Sequence, residues 1–367
     1  MSFKDLNNDI HDPKRIYGLD VMRALAACLV VYEHGNFILE RASPTLAGIK
    51  IIDGVDLFFV LSGFLIGGIL LRGMNSVENI NFSFVKTFLV RRWFRTLPNY
   101  FLFLLINIVL IYFGISSGFL NKYIITFFVF MQNFIKPYDF LFWESWSLSV
   151  EEWFYFLFPF LLLSGSFVFR KNRKALFLFC CLLFISFSTG VRFYKAGTST
   201  YTYDNWDLWI RKLVICRFDG IGFGLLASWI HFYYNKLWVK SSLYAFLIGL
   251  MLFTYCALNA FETKPYFTET SYFTLSAIAG TLLLPMAEQL KKSGTAFGKC
   301  VTFISIISYA MYLSHFGLSA ALIKNCFGYI ERPALMYIVY WTFTIAISTL
   351  IYVFYEKPIT NLRKRFI

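Results

Sequence analysis

Gly18-Leu19-Asp20-Val21-Met22-Arg23-Ala24-Leu25-Ala26-Ala27-Cys28-Leu29-Val30-Val31-Tyr32-Glu33-His34 decides how the chain is read. It is apolar enough to enter a bilayer, yet it holds Asp20, Arg23, Glu33 and His34. Ionisable groups in a membrane helix are expensive, and they commonly mark a pathway or a reaction site. Arg23 and His34 are eleven positions apart. At about 100° per residue that is roughly 20° past three full turns, so one helix face carries both. Along the axis they lie about 16 Å apart, half a hydrocarbon core. Spacing alone leaves two readings open: two ends of one reaction path, or an Arg snorkelling inward with a His at the interface.

The rest of the 367 residues fits a membrane setting: 58% hydrophobic, 21% aromatic and 15% charged, with mean hydropathy +0.61. Ordinary soluble domains carry about 25% charged residues. The expected fold is all-α, a polytopic integral membrane protein with ten transmembrane helices. They fall near 17–38, 49–71, 98–116, 146–169, 175–193, 209–232, 241–260, 271–290, 301–324 and 333–355. One membrane domain is expected over 1–367, with short tails at 1–16 and 356–367. Residues 123–134 are too few to cross and read as a re-entrant or interfacial piece on the outer side, the alternative being an eleventh span. Counting them as a span would throw the Arg170–Lys174 cluster outside.

The net charge of +13 is a matter of position. With the N-terminus inside, 21 Lys and Arg fall in inner segments and eight in outer ones, which places both termini in the cytoplasm. No basic-aromatic module accompanies these runs, so no nucleic-acid partner is expected. The seven cysteines lie in or beside apolar stretches without ligand-like pairing. They read as small core residues, and no metal site is expected. The N-terminus is polar through Arg15 without a small-residue cleavage site, so the first span serves as the insertion signal. Gly63 to Gly67 and Gly220 to Gly224 read as ridges for close helix packing.

In this orientation Arg23 sits in the inner half of the first span and His34 near its outer end. Asp53 and Asp56, then Glu151 and Glu152 of Trp146-Ser147-Leu148-Ser149-Val150-Glu151-Glu152, then Arg217 and Asp219, reach a similar outer depth. Buried charges must pair or face a wet cavity, so a polar chamber follows. There His34 fits a general base with Glu151 beside it, and Asp56, Glu152, Arg217 and Asp219 fit substrate contacts. A structural ion pair of Glu151 or Glu152 with Arg217 is the alternative. On the inner side Arg92 and Arg95, three apart, share a face and fit a phosphate clamp, or else a topology anchor on lipid headgroups. The two ends together suit a donor with a charged head and a long reactive arm, such as an acyl coenzyme A. Outer aromatics Tyr194, Tyr201, Tyr203 and Trp206 fit either a sugar platform or an interfacial belt.

Gly18-Leu19-Asp20, Arg23-Ala24-Leu25-Ala26 and His34, followed by Gly54-Val55-Asp56-Leu57-Phe58-Phe59-Val60-Leu61-Ser62-Gly63-Phe64-Leu65-Ile66, resemble the opening of the acyltransferase-3 family of membrane acyltransferases. Arg92-Trp93-Phe94-Arg95, the stretch Trp146 to Tyr155, Arg217-Phe218-Asp219 with Gly222, Ser308 to His315 and Glu356-Lys357-Pro358 continue the match in family order. The resemblance covers nearly the whole chain. It implies a ten-helix inner-membrane enzyme with both termini cytoplasmic. Such an enzyme moves an acyl group, most often acetyl, from acetyl-CoA or another acyl-CoA as co-substrate to a hydroxyl of a cell-envelope glycan or lipid-linked sugar. Carried over, Arg23 and His34 match the family's paired Arg and His, Arg92 and Arg95 its Arg-x-x-Arg motif, and Glu151 its acid. Trp153 stands where a Gln-led stretch is common, and His315 lacks the usual flanking Trp residues, so His315 is expected to be structural or secondary. No soluble esterase-like domain is expected after the last span. The alternative function is a proton-coupled transporter of a small molecule or lipid-linked sugar; no internal repeat supports it.

Overall fold

The computed structural model describes residues 3–49, 53–137, 141–169, 172–259, 265–291, 294–323 and 332–366. Lys50, Arg170, Lys171, Lys264, Lys292, Lys324 and Cys326, used in the charge and cysteine readings, lie outside the described residues. Every regular element among the described residues is a helix. After α1 (Phe3–Ile10) come α2 (Tyr17–His34), α3 (Gly54–Ser76), α4 (Phe82–Tyr112), α5 (Ser145–Phe169) and α6 (Arg173–Thr198). There follow α7 (Phe218–Tyr233), α8 (Ser242–Leu258), α9 (Tyr272–Glu288), α10 (Ala296–Ser314) and α11 (Pro333–Ile351).

Six described segments are long and apolar enough to cross a membrane: α3, α4, α5, α6, and the runs Ala296–Ile323 and Pro333–Leu362 that extend α10 and α11. With them the chain is a multi-pass membrane protein. α8 and α9 are apolar but have 17 residues each. α7 has 16, and the 18-residue α2 carries Asp20, Arg23 and Glu33. These four take their places in the bundle through packing: α2 on α3 and α10, α7 on α3 and α6, α8 on α9. At the α3/α7 crossing a Cβ added to Gly63 would overlap the Ile221 carbonyl, and one added to Gly224 the Val60 carbonyl. The two small-residue ridges therefore let these main chains touch.

Two boundaries differ from expectation. α4 opens at Phe82, where the Asn81 side chain accepts from the Phe84 N–H at 3.0 Å. Pro98 is thus internal to a 31-residue helix, and Arg92 and Arg95 sit in its middle turns instead of at its start. The expected span 209–232 is broken into a π-helical turn Asp207–Arg211, a 3-10 turn Val214–Cys216 and α7. The Phe218 N–H that restarts the helix is accepted by Ser188 Oγ at 3.0 Å.

Residues 123–134 do not cross. They form a five-residue helix, Ile124–Phe128, and then an irregular turn through Phe130 at φ 58°. Non-helical backbone at membrane depth needs internal partners. The Tyr100 hydroxyl donates to the Phe127 carbonyl at 2.7 Å, and Asn133 Nδ2 donates to the Lys212 and Trp146 carbonyls at 2.6 and 3.0 Å. The two ends of the chain meet on one side of the bundle. The Tyr352 hydroxyl donates to Asp9 Oδ2 at 2.8 Å, Lys357 pairs with Asp9, and Thr360 donates to the Phe94 carbonyl at 3.4 Å. That side also holds the Arg91–Arg95 turn.

Candidate active site

A narrow cavity of about 120 Å³ opens at the end of the bundle where the termini meet. Its polar lining there is Arg23 from α2, Arg92, Arg95 and Thr96 from α4, and Glu151 from α5. Glu151 Oε2 accepts from the Tyr155 hydroxyl at 3.0 Å, and that hydroxyl is 3.0 Å from Ser62 Oγ. Arg95 is exposed, whereas Arg92 is half-buried over the Phe88 ring at 5.9 Å, its Nε buried without a hydrogen-bond partner. Arg23 is 3.8 Å from Asp20, whose main partners are Arg15 and, at 2.7 Å, Ser305. Three guanidiniums therefore converge on one mouth with only part of their donor capacity used. That is the equipment for a multiply charged anion such as a phosphate group.

Away from the arginines the lining includes Phe58, Ser147 and Tyr312. Tyr312 shares a hydrogen bond with Ser147, and its hydroxyl lies 3.0 Å from the Glu144 carbonyl, which it can only reach as donor. Its ring is 5.9 Å from that of His315. His315, fully buried, stands at 2.8 Å from His34: His315 Nε2 to His34 Nδ1. The other nitrogen of His315, Nδ1, is 2.8 Å from the Tyr312 carbonyl and 3.2 Å from that of Met311. Beyond the pair, Phe316 packs on His34 with ring centroids 5.4 Å apart. Phe316 also lines a second cavity of about 650 Å³, together with Phe37, Arg41, Asn107, Ser116, Ser117 and Trp143. The two histidines thus stand between two cavities. His34 lines neither one directly.

The chain changes from α- to π-helix at His315–Ala320. The Gly317 N–H in that turn donates to Glu144 Oε1 at 2.7 Å, and Glu144 is buried with Oε2 unpartnered. π-turns of this kind are frequent at functional sites.

The remaining charges of the expected chamber are held by one another. Arg217 pairs with Asp56, both buried, and its guanidinium carbon is 3.9 Å from the Phe273 centroid. Asp219 takes two bonds from the fully buried Arg192, at 3.0 and 2.5 Å, and a third from Thr274 at 2.9 Å. Asp53 caps α3 through the Val55 N–H at 2.8 Å and pairs with Arg211 at 2.8 Å. Arg211 and Lys212 share Asp207 at 3.0 and 2.5 Å. Glu152 accepts from Thr96 at 2.6 Å.

Of the residues singled out in the sequence, Arg23, Arg92, Arg95 and Glu151 come together in one cavity. His34 lies outside that lining, two residues removed from it through His315 and Tyr312, and its hydrogen-bonded neighbour is His315 instead of Glu151. Asp56, Arg217 and Asp219 line neither cavity, nor does Glu152. Arg217 meets Asp56 instead of Glu151 or Glu152. His315, expected from its flanking residues to be structural or secondary, is brought to His34, 281 positions away, only by folding. Glu144 and Tyr312 carried no spacing signal of their own.

A family model described as an acyltransferase domain, acyltransferase-3, matches residues 16–354. The "Putative peptidoglycan O-acetyltransferase YrhL" of Bacillus subtilis (strain 168) is 26% identical over 369 aligned residues, 94% of this chain and 55% of that protein. A Staphylococcus aureus (strain COL) protein named "Putative O-acetyltransferase" is 25% identical over 363 residues, 94% of this chain and 57% of its own. "Peptidoglycan O-acetyltransferase OatA" of Listeria monocytogenes is 29% identical over 177 residues, 44% of this chain and 26% of its own. The chain spans about half the length of the first two of these relatives. No solved structure matches it.

Proposed function

Because the chain belongs to the acyltransferase-3 family of membrane acyltransferases, we propose that it is an O-acyltransferase drawing an acyl group, acetyl for preference, from acyl coenzyme A. The acceptor is a hydroxyl of peptidoglycan or a related cell-envelope glycan or lipid-linked sugar, in keeping with the relatives' names. The observation that carries the reading is the single narrow cavity that leads from Arg23, Arg92 and Arg95 to Tyr312, beside the His34–His315 pair.

In this reading the donor's phosphates rest on Arg92 and Arg95 at the mouth, with Arg23 and Glu151 along the pantetheine arm. The thioester reaches the Tyr312 end. The acceptor enters by the wider cavity, whose volume suits one ligand-sized group and whose Trp143 and Phe37 offer faces for a sugar ring. His34 takes the proton of the acceptor hydroxyl, the oxygen attacks the thioester carbonyl carbon, and the C–S bond breaks. The thiolate leaves with the proton that His34 gives back, so the base is restored. The paired ions Asp56–Arg217 and Asp219–Arg192 hold the bundle around these cavities. The membrane is the inner (plasma) membrane with both termini cytoplasmic, which the 21-to-8 distribution of Lys and Arg supports and the cytosolic supply of acyl-CoA requires.

The test is transfer from radiolabelled acetyl-CoA to envelope glycan in membranes containing wild type or His34→Ala. A general base contributes about 10²–10⁴-fold, so turnover in the variant should fall by that factor while donor binding stays. Full turnover in His34→Ala removes the base assignment. Substrate flux in proteoliposomes without consumption of acyl donor replaces the enzyme with a transporter.

A further inference from the structure

We infer that His315 is the positioning residue that holds His34 as its Nδ1–H tautomer, so that Nε2 is the atom that takes the acceptor's proton. This rests on the acyl-transfer reading for its purpose and on hydrogen-bond geometry for its substance. A backbone carbonyl only accepts, and His315 Nδ1 lies 2.8 Å from the Tyr312 carbonyl and 3.2 Å from that of Met311. That nitrogen therefore carries the hydrogen. A neutral imidazole has one N–H, so His315 Nε2 presents a lone pair. Its neighbour at 2.8 Å, His34 Nδ1, must then be the donor. With its one hydrogen on Nδ1, neutral His34 has a bare Nε2.

The opposite arrangement requires a charged His315. That ring is fully buried, and among the described residues its nitrogens meet two carbonyls and another imidazole and no carboxylate. A cation there lacks the paired anion that burial demands.

Folding explains why the arrangement sits here. At His315 the helix passes from α10 into a π-turn and runs on to Ile323, so the last α-helical turn before the change is Met311 to Ser314. His315 Nδ1–H is turned back onto the Met311 and Tyr312 carbonyls of that last turn. When His34 accepts a proton, the positive charge is shared through the Nδ1–H···Nε2 bond toward these two carbonyl oxygens. The order is carbonyl, imidazole, imidazole, acceptor hydroxyl. In hydrolase triads the group behind the histidine does the same job of fixing tautomer and orientation, and losing it there lowers turnover about 10⁴-fold. A neutral imidazole supplies the orientation without a full charge, so a smaller factor of about 10²–10³ is expected here.

The experiment uses the full chain in lipid nanodiscs with ¹⁵N-labelled histidine. Four histidines are present, and His34→Ala assigns the His34 signals by their loss. In the wild type His34 should show a protonated Nδ1 and a bare Nε2. His315→Gln keeps an acceptor oxygen for His34 and an N–H for the Met311 and Tyr312 carbonyls, so it should keep that pattern and retain turnover within about tenfold of wild type. His315→Leu should lose the pattern and lower kcat by about 10²–10³-fold, with the KM for acetyl-CoA changed by less than about twofold. A wild-type His34 protonated on Nε2 overturns the inference, and so does a folded His315→Leu with full kcat. Should no acyl transfer be found in any variant, the proposed function falls, while the nitrogen signals still decide the tautomer.

Discussion

Arg92→Ala separates a phosphate clamp from a mere topology anchor. Arg92 is half-buried in the cavity wall, stacked on Phe88, with its Nε buried and unpartnered. Its removal deletes a guanidinium while leaving the Asp56–Arg217 and Asp219–Arg192 pairs untouched. A charge-assisted hydrogen bond contributes about 1.5–3 kcal/mol. With about 1.4 kcal/mol per factor of ten, the KM for acetyl-CoA should rise about 10- to 150-fold. S-acetylpantetheine carries the same thioester and arm but no phosphate. For that donor Arg92→Ala should change kcat/KM by less than about twofold, because the lost contact was never made. Steady-state kinetics in nanodiscs with both donors completes the cycle. Equal losses with both donors would refute the clamp and leave Arg92 as a helix-packing residue. A loss confined to the acceptor's KM would refute it as well.

Asp219→Asn leaves the fully buried Arg192 guanidinium without its carboxylate, which should destabilise the fold by about 3–5 kcal/mol in denaturant unfolding of the solubilised protein. The charge-free double variant Arg192→Leu/Asp219→Leu should lose less, and an unfolding midpoint unchanged in Asp219→Asn would contradict a structural role for the pair. Trp143→Ala removes an aromatic face from the wider cavity. It should raise the acceptor's KM about 2- to 12-fold, the equivalent of about 0.5–1.5 kcal/mol, with donor KM unchanged; the reverse split would move the acceptor elsewhere.

What the sequence made legible follows from what is local. Arg23 and His34 share a helix, so their common face and their separation along it could be read from helical period alone. Arg92 and Arg95 share another, and three-residue spacing put both into the same cavity. That Asp53, Asp56 and Arg217 share one level was also legible, whereas Glu151 and Glu152, expected at that level, lie with Arg92, Arg95 and Thr96. Their pairing was not: Arg217 could have met any of several carboxylates at that level, and only packing selected Asp56. Likewise His315 reaches His34 through the α10–α2 contact, which no local pattern encodes. The third span was expected to begin at 98 because the charged residues before it lower the hydropathy of what is in fact one continuous helix. The break at 207–216 was hidden because an apolar window averages over π- and 3-10 turns.

The most direct measurement of the central claim is a cryo-EM structure of the full chain in nanodiscs with acetonyl-CoA. In this analogue a methylene separates sulfur from the carbonyl, so no acyl group can leave. The phosphates should lie against Arg92 and Arg95, the arm past Arg23 and Glu151, and the carbonyl at the Tyr312 end facing Nε2 of His34. Phosphates bound away from the two arginines, or a carbonyl with the His34 ring turned from it, would contradict it.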